Sequence, residues 1–291
     1  MQYDIRLTLH YDYPAGAGGG RHQLRVTPRT VPGMQRVIAT SLSFSPLPSE
    51  RSDFTDFFST SVTTIAFREP HDALDVRMHA RVSVDRPEPP IDLSPSLAEL
   101  RREVAGVLTL AGDSPQHFLA RGPYTVADDA IAAYAAGSAG RGSVRAIARD
   151  LCARIHRDFA YDGTATTVAT SAVDAFALKR GVCQDFSHVM IAGLRSLGVP
   201  AGYVSGFLRT IPPPGKERLE GADAMHAWVK VWCGRDGDWI EFDPTNDMLA
   251  GNDHIVVGYG RDYSDVAPIV GVFRTSGGQE GEQKVDVIPV G

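Results

Sequence analysis

Three residues of types that together perform nucleophilic catalysis stand in order along this 291-residue chain: Cys183 in GVCQDFSH (181–188), His226 in DAMHAWVKVW (223–232) and Asp243 in WIEFDPTND (239–247). Cys183 is placed to open a helix, where unpaired N–H groups and the helix dipole favour negative charge. That favours the thiolate, the nucleophilic form of a thiol. The same position sets the Cys183 N–H beside an oxyanion forming on an attacked carbonyl, and Gly181 permits a tight backbone approach. A histidine partner would take the thiol proton and return it to a leaving group, while an acidic residue fixes its tautomer and holds the imidazolium. Taken singly, each residue has a plainer reading: a packed thiol, a half-buried histidine, and an aspartate capping the turn at Pro244.

The elements that must position these residues follow from periodicity. The helix from Cys183 runs to Leu197, with Phe186, Val189, Met190, Leu194 and Leu197 inward, and Gly198-Val199-Pro200 ends it. His188 lies five residues beyond Cys183 and points away from it. Strands are expected at 201–209, 225–233 and 239–243. In the second, Ala227, Val229, Val231 and Cys233 share the face that reads as buried, and His226, Trp228, Lys230 and Trp232 share the other. Asp236-Gly237 suggests a two-residue hairpin turn. That turn would set Asp243 opposite Lys230, four residues or roughly 13 Å from His226, so a bulge, a wider loop or a strong twist is required if the three are to meet. A long Pro- and Gly-containing loop, 210–224, precedes the histidine strand.

Upstream, period-two alternation in Tyr3-Ile5-Leu7-Leu9-Tyr11-Tyr13, 38–44 and 74–84 predicts half-buried antiparallel strands. AGAGGG (15–20) reads as a flexible turn and DRPEPP (85–90) as a linker. Helices are expected from Ser94-Pro95 (with Leu97, Leu100, Val104 and Leu108 as its stripe), from Ser114-Pro115, from Ser143 (Val144, Ile147, Leu151, Ile155 and Phe159) and from Thr170 or Ser171 to near Arg180. Cys152 and Cys233 read as packed thiols. Further strands are expected at 255–259, 269–274 and 285–290.

A hydrophobic content of 43% and a net charge of −6 allow a well-packed core and show no basic block of the nucleic-acid or membrane-surface kind. No apolar run reaches 18 residues, and the first residues lack the pattern of a signal peptide. Three cysteines without a CxxC pair argue against a disulfide scaffold or structural zinc and suit a cytoplasmic location. No DxDxDG-type calcium loop is visible.

GVCQDFSHVMIAGLRSLGVPAGYVSGFL, DAMHAWVKVW and WIEFDPTND together resemble the bacterial transglutaminase-like family of papain-type cysteine enzymes. RVTPRT and SDFTDFF resemble its β-rich N-terminal domain, and 258–274 resembles the end of the same architecture. The resemblance implies an α+β fold with a sandwich-like β-rich domain (1–88), a helical connector (89–142), a papain-like core (143–250) in which the cysteine helix packs on an antiparallel sheet, and C-terminal strands (251–291) that complete the core or return to the first domain. It implies Cys183 as nucleophile, His226 as general base and Asp243 as its orienting residue. Tyr161, Gln184 and Trp228 are candidates for substrate contact, with helix capping the alternative for Gln184 and simple packing for Trp228. Asp253-His254 could approach the site but reads better as structural. The expected chemistry acts on an amide or peptide bond of a protein or peptide, by hydrolysis or by transfer to a primary amine, with no metal or cofactor and no nucleic-acid or membrane partner. Oligomeric state is left open. The alternative is a non-catalytic protein-binding module that retains the fold.

Overall fold

The structure, a computed structural model, describes residues 1–88, 91–210, 221, 223–275 and 277–290. The end of the expected linker and most of the 210–224 loop lie outside the described residues. The chain begins with β1 (Gln2–Leu24), β2 (Gln35–Ser45), β3 (Glu50–Thr55), β4 (Ser61–Phe67) and β5 (His71–Val84). Tyr3, Ile5, Leu7 and Leu9 of β1 and Leu74, Val76, Met78 and Val82 of β5 face one core, as their alternation requires. AGAGGG is not a turn. It lies within β1, and the register with β5 shifts between Asp12 and Ala17. Gly16 and Gly19 take positive φ, so the glycines bend the strand rather than reverse it. The first half of β1 pairs with β5 and the second with β4, which curls one sheet into a sandwich-like domain.

Asp85 and Arg86 are tied down: Asp85 N–H donates to the Met34 carbonyl and Arg86 N–H to Asn252 Oδ1. The next helix, α1 (Leu97–Ala105), starts two residues later than Ser94-Pro95 suggested. Ser96 forms a reciprocal capping box with Glu99, while Ser94 Oγ accepts from Arg145 N. Gly106 ends α1, leaving Leu108 exposed. Ser114-Pro115 opens only a 3-10 turn, and the longer helix in this region is α2 (Asp129–Ala136), capped by Asp128. α3 (Val144–Asp158) starts at its Ser143 cap.

The core continues with β6 (Ala160–Tyr161), α4 (Ala172–Leu178), β7 (Arg180–Gly181) and α5 (Cys183–Ser196). Residues 184–194 of α5 are buried on every side, the property of a helix enclosed by its own protein. α2, α3 and α4 surround it. Beneath it lies an antiparallel sheet of β8 (Ala201–Leu208), β9 (Ala224–Trp232), β10 (Trp239–Asp243), β11 (Met248–Leu249) and β12 (His254–Gly260), in the order β11-β10-β9-β8-β12. Both faces of β9 are buried, not one: His226, Trp228 and Lys230 are buried along with Ala227 and Val229. After the short α6 (Tyr263–Val266), β13 (Ile269–Arg274) and β14 (Glu280–Val290) pair with β1. Phe207, Ile255 and Val257 of the second sheet join the first domain's core, so the two units share apolar surface. Among the described residues no helix is long and apolar enough to cross a membrane.

Candidate active site

Cys183 is the first residue of α5, on a turn that only glycine can complete. Gly181 has φ +153°, and a Cβ there would collide with the Asp185 carboxylate. Asp185 Oδ2 accepts from Val182 N–H at 2.8 Å and from Thr166 Oγ1 at 2.7 Å, which fixes the helix start. Cys183 is half-buried, whereas Cys152 and Cys233 are buried and burial pushes both thiols up to about 12.

The β9–β10 hairpin resolves the distance problem with a wider loop. Trp239 pairs with Trp232, and the turn closes through Cys233 N–H to the Asp238 carbonyl and Asp238 N–H to the Gly234 carbonyl. Asp238 takes the left-handed conformation. The register moves by two residues, so Lys230 faces Glu241. Asp243 then needs to reach a residue only two positions along β9, about 7 Å away, a diagonal that side chains span. His226 Nε2 and Asp243 Oδ2 are 2.8 Å apart.

Asp243 is wholly buried and accepts five hydrogen bonds. Oδ2 takes His226 Nε2, His254 Nε2 (3.1 Å) and Asn246 Nδ2 (2.7 Å), while Oδ1 takes Thr245 N–H and Asn246 N–H. Burial alone would raise the carboxyl, but the bonds from His226 and His254 hold it well below the usual carboxylate range. Burial alone would likewise depress His226. The Cys183 charge, then the Asp243 hydrogen bond, overcome it and lift the imidazole to about 10. Nε2 is the ring nitrogen that Asp243 engages.

His254, which the sequence lets approach the site with a structural role the better reading, touches the same carboxylate oxygen as His226. Its Nδ1 accepts from Gly251 N–H at 3.1 Å, so the proton sits on Nε2 and is donated to Asp243. The ligand-type atoms of His226, Asp243 and His254 lie within 4.8 Å of one another. With one imidazole's proton already directed at the shared oxygen, the cluster reads as a hydrogen-bonded network rather than a metal centre. Only a chain fold brings His254 to Asp243, and nothing in local spacing signals it. His254→Phe should leave Gly251 N–H and one face of Asp243 unpaired, costing about 1–3 kcal/mol. His254→Gln, which can offer both an acceptor and a donor, should recover part of that in urea-denaturation midpoints.

The remaining candidates are spread around this group. Tyr161 is 65% exposed and pairs with Gly181. Burial and the nearby Cys183 charge raise its phenol, so it stands beside the cysteine turn. Gln184 is buried and donates Nε2–H to the Val168 carbonyl at 3.1 Å. Trp228 is fully buried, stacks on His226 at 6.1 Å and donates its indole N–H to Glu241 at 2.6 Å; it supports the imidazole from within and offers no surface to a substrate. His188 is sealed against Tyr124, and burial pushes it down to about 3.

An enclosed helix headed by a cysteine, laid on an antiparallel sheet that carries histidine and aspartate on neighbouring strands, defines a transglutaminase-like, papain-type core with a β-rich N-terminal domain. Residues 131–244 match the model of the transglutaminase-like superfamily, and residues 3–83 that of the bacterial transglutaminase-like N-terminal region. An uncharacterized protein of Mycobacterium tuberculosis (strain H37Rv) is 38% identical over 262 residues, covering 88% of this chain and 82% of that protein. One of Mycobacterium leprae is 33% identical over 286 residues, covering 95% of each. The chain belongs to the transglutaminase-like superfamily. The crystal structure of "a Putative Cysteine Protease from Cytophaga hutchinsonii" shares its fold at TM-score 0.76 and 21% identity, covering 99% of this chain and 90% of that one.

Proposed function

We propose that this protein is a cysteine enzyme acting on an amide or peptide bond through a thioester on Cys183. The observation that carries the reading is the buried His226 imidazole, held by Asp243 at 2.8 Å on the strand that packs against the helix Cys183 opens. In this reading the Cys183 sulfur attacks the carbonyl and the developing oxyanion meets the N–H groups at the head of α5. His226 passes its proton to the leaving amine, and Asp243 holds the imidazolium throughout. Water or a second amine then attacks the thioester with His226 as base, releasing an acid or a new amide and restoring the thiol. The acceptor decides between hydrolysis and acyl transfer, because both share one intermediate. A peptide or protein substrate suits the half-exposed Cys183 and the exposed Tyr161 beside it.

Iodoacetamide tests the nucleophile without a known substrate. Cys152 and Cys233 are buried, so labelling should be stoichiometric at Cys183. Its rate should persist at pH 6, where an isolated thiol titrating near ~8.5 is almost wholly protonated. A rate that falls tenfold per pH unit below 8 would favour a binding module that keeps the fold. For the substrate, peptide libraries incubated with and without an added primary amine and read by mass spectrometry separate hydrolysis from transfer; no change in any peptide that fails to depend on Cys183 would count for the enzyme.

A further inference from the structure

Lys230 lies on the same face of β9 as His226, on the far side of Trp228. It is 5% exposed and lines a cavity of about 780 Å³ that also meets Arg29, Arg86, Glu241, Trp239 and Tyr259. Its Nζ lies 3.9, 4.2 and 4.6 Å from the ring centroids of Phe118, Trp239 and Tyr259. It makes no hydrogen bond to any described residue. The cross-strand neighbour Glu241 would be its natural partner, but that carboxylate is already taken by Arg86 at 2.9 Å, the Trp228 indole at 2.6 Å and the Tyr259 hydroxyl at 2.8 Å. Aromatic faces stabilise an ammonium without satisfying its N–H groups. Arg29 and Arg86 also line the cavity, and each has a buried Nε with no partner among the described residues. Those two Nε atoms are sealed from solvent, so the donors an incoming acceptor would meet are those of Lys230, beside two arginines and a Glu241 carboxylate that already accepts three hydrogen bonds.

The rim carries the opposite sign. Glu88, Asp113, Asp236 and Asp238 are exposed around the mouth and repel anions, a multiply charged one more strongly than a singly charged one. The aromatic walls suit a flat apolar body. We propose that this cavity is a binding site for a small organic monocarboxylate, its carboxylate on Lys230 Nζ with Arg29 and Arg86 beside it and its body against Trp239 and Tyr259. The proposal stands apart from the assignment of Cys183, since neither Cys183 nor His226 lines the cavity.

Burial pushes the Lys230 ammonium down to about 7, with Glu241, Asp113 and Asp238 pulling it up and Arg29 adding to the fall; Arg86, Asp236 and Tyr259 face the same cavity. A carboxylate binds the charged form, so affinity should weaken as pH rises from 6 to 9.

Calorimetric titration of the full chain with benzoate, inorganic phosphate and benzylamine tests the site. Benzoate should bind one-to-one and more than tenfold more weakly at pH 9 than at pH 6, phosphate should bind far more weakly, and benzylamine should not bind. Lys230→Met, which keeps the length and the aromatic contacts, should weaken benzoate at least tenfold. Ala111→Trp, at the exposed mouth, should block it without touching the buried groups and decides the matter if the methionine variant does not fold. Absence of saturable benzoate binding, benzoate affinity unchanged in folded Lys230→Met or in Ala111→Trp, or tighter binding of phosphate or benzylamine would each overturn the proposal.

Discussion

Cys183→Ala should abolish turnover of any substrate identified for this protein while leaving the fold in place. The expected fall is on the order of 10⁶, as when the nucleophile of an acyl-transfer triad is removed. The fold should hold for reasons visible around the residue. Cys183 is only half-buried, and the start of α5 is fixed by Asp185 and by the glycine turn rather than by the sulfur. Residues 184–194 remain enclosed whatever stands at 183. Loss of a half-exposed sulfur should cost less than about 1 kcal/mol. The paired measurement is turnover and thermal midpoint on the same preparation. Activity retained within tenfold would remove Cys183 from the chemistry. Activity lost together with a large drop in midpoint would show instead that the thiol is structural.

Much of this arrangement is legible in the sequence, and the misses share a cause. Cys183 at a helix start, the alternating strands and the order of His226 and Asp243 depend on local periodicity, which side-chain type records. The failures lie where the deciding contact is distant or has no side chain. AGAGGG carries no alternation, so nothing in it distinguishes a bent strand from a turn. The hairpin register depends on Asp238 taking a positive φ, a conformation Gly237 was the better candidate for. β9 looked one-sided because His226, Trp228 and Lys230 carry polar atoms. Yet Trp228 and Lys230 find cover in Glu241 and in three aromatic rings supplied by other segments. His254 is separated from Asp243 by a strand and a turn, and only the closing of β12 onto β8 brings it there. The helix at 129–136 is short and alanine-rich, with little apolar periodicity to read.

Asp243→Asn should have the other large effect, and it should act on stability and activity together. The carboxylate accepts five hydrogen bonds in a wholly buried position. An amide has one acceptor oxygen. If its NH₂ replaces Oδ2 it meets the donors of His226, His254 and Asn246; if it replaces Oδ1 it meets two backbone N–H groups. At least two buried donors lose their acceptor either way, at about 1–3 kcal/mol each, so the variant should be about 2–6 kcal/mol less stable at pH 7. The imidazolium of His226 also loses its counter-charge, and turnover should fall by roughly 10³–10⁴. The pH dependence separates this cause from general damage. The folded-state Asp243 carboxyl lies below its ordinary range, so its stabilisation is present above the unfolded value near ~3.9 and is lost as pH falls below it. The gap between wild type and Asp243→Asn should therefore narrow between pH 7 and pH 3 in urea-denaturation midpoints. A gap that is absent at pH 7, or that stays constant on acidification, would mean that Asp243 does not hold His226 and His254 through its charge.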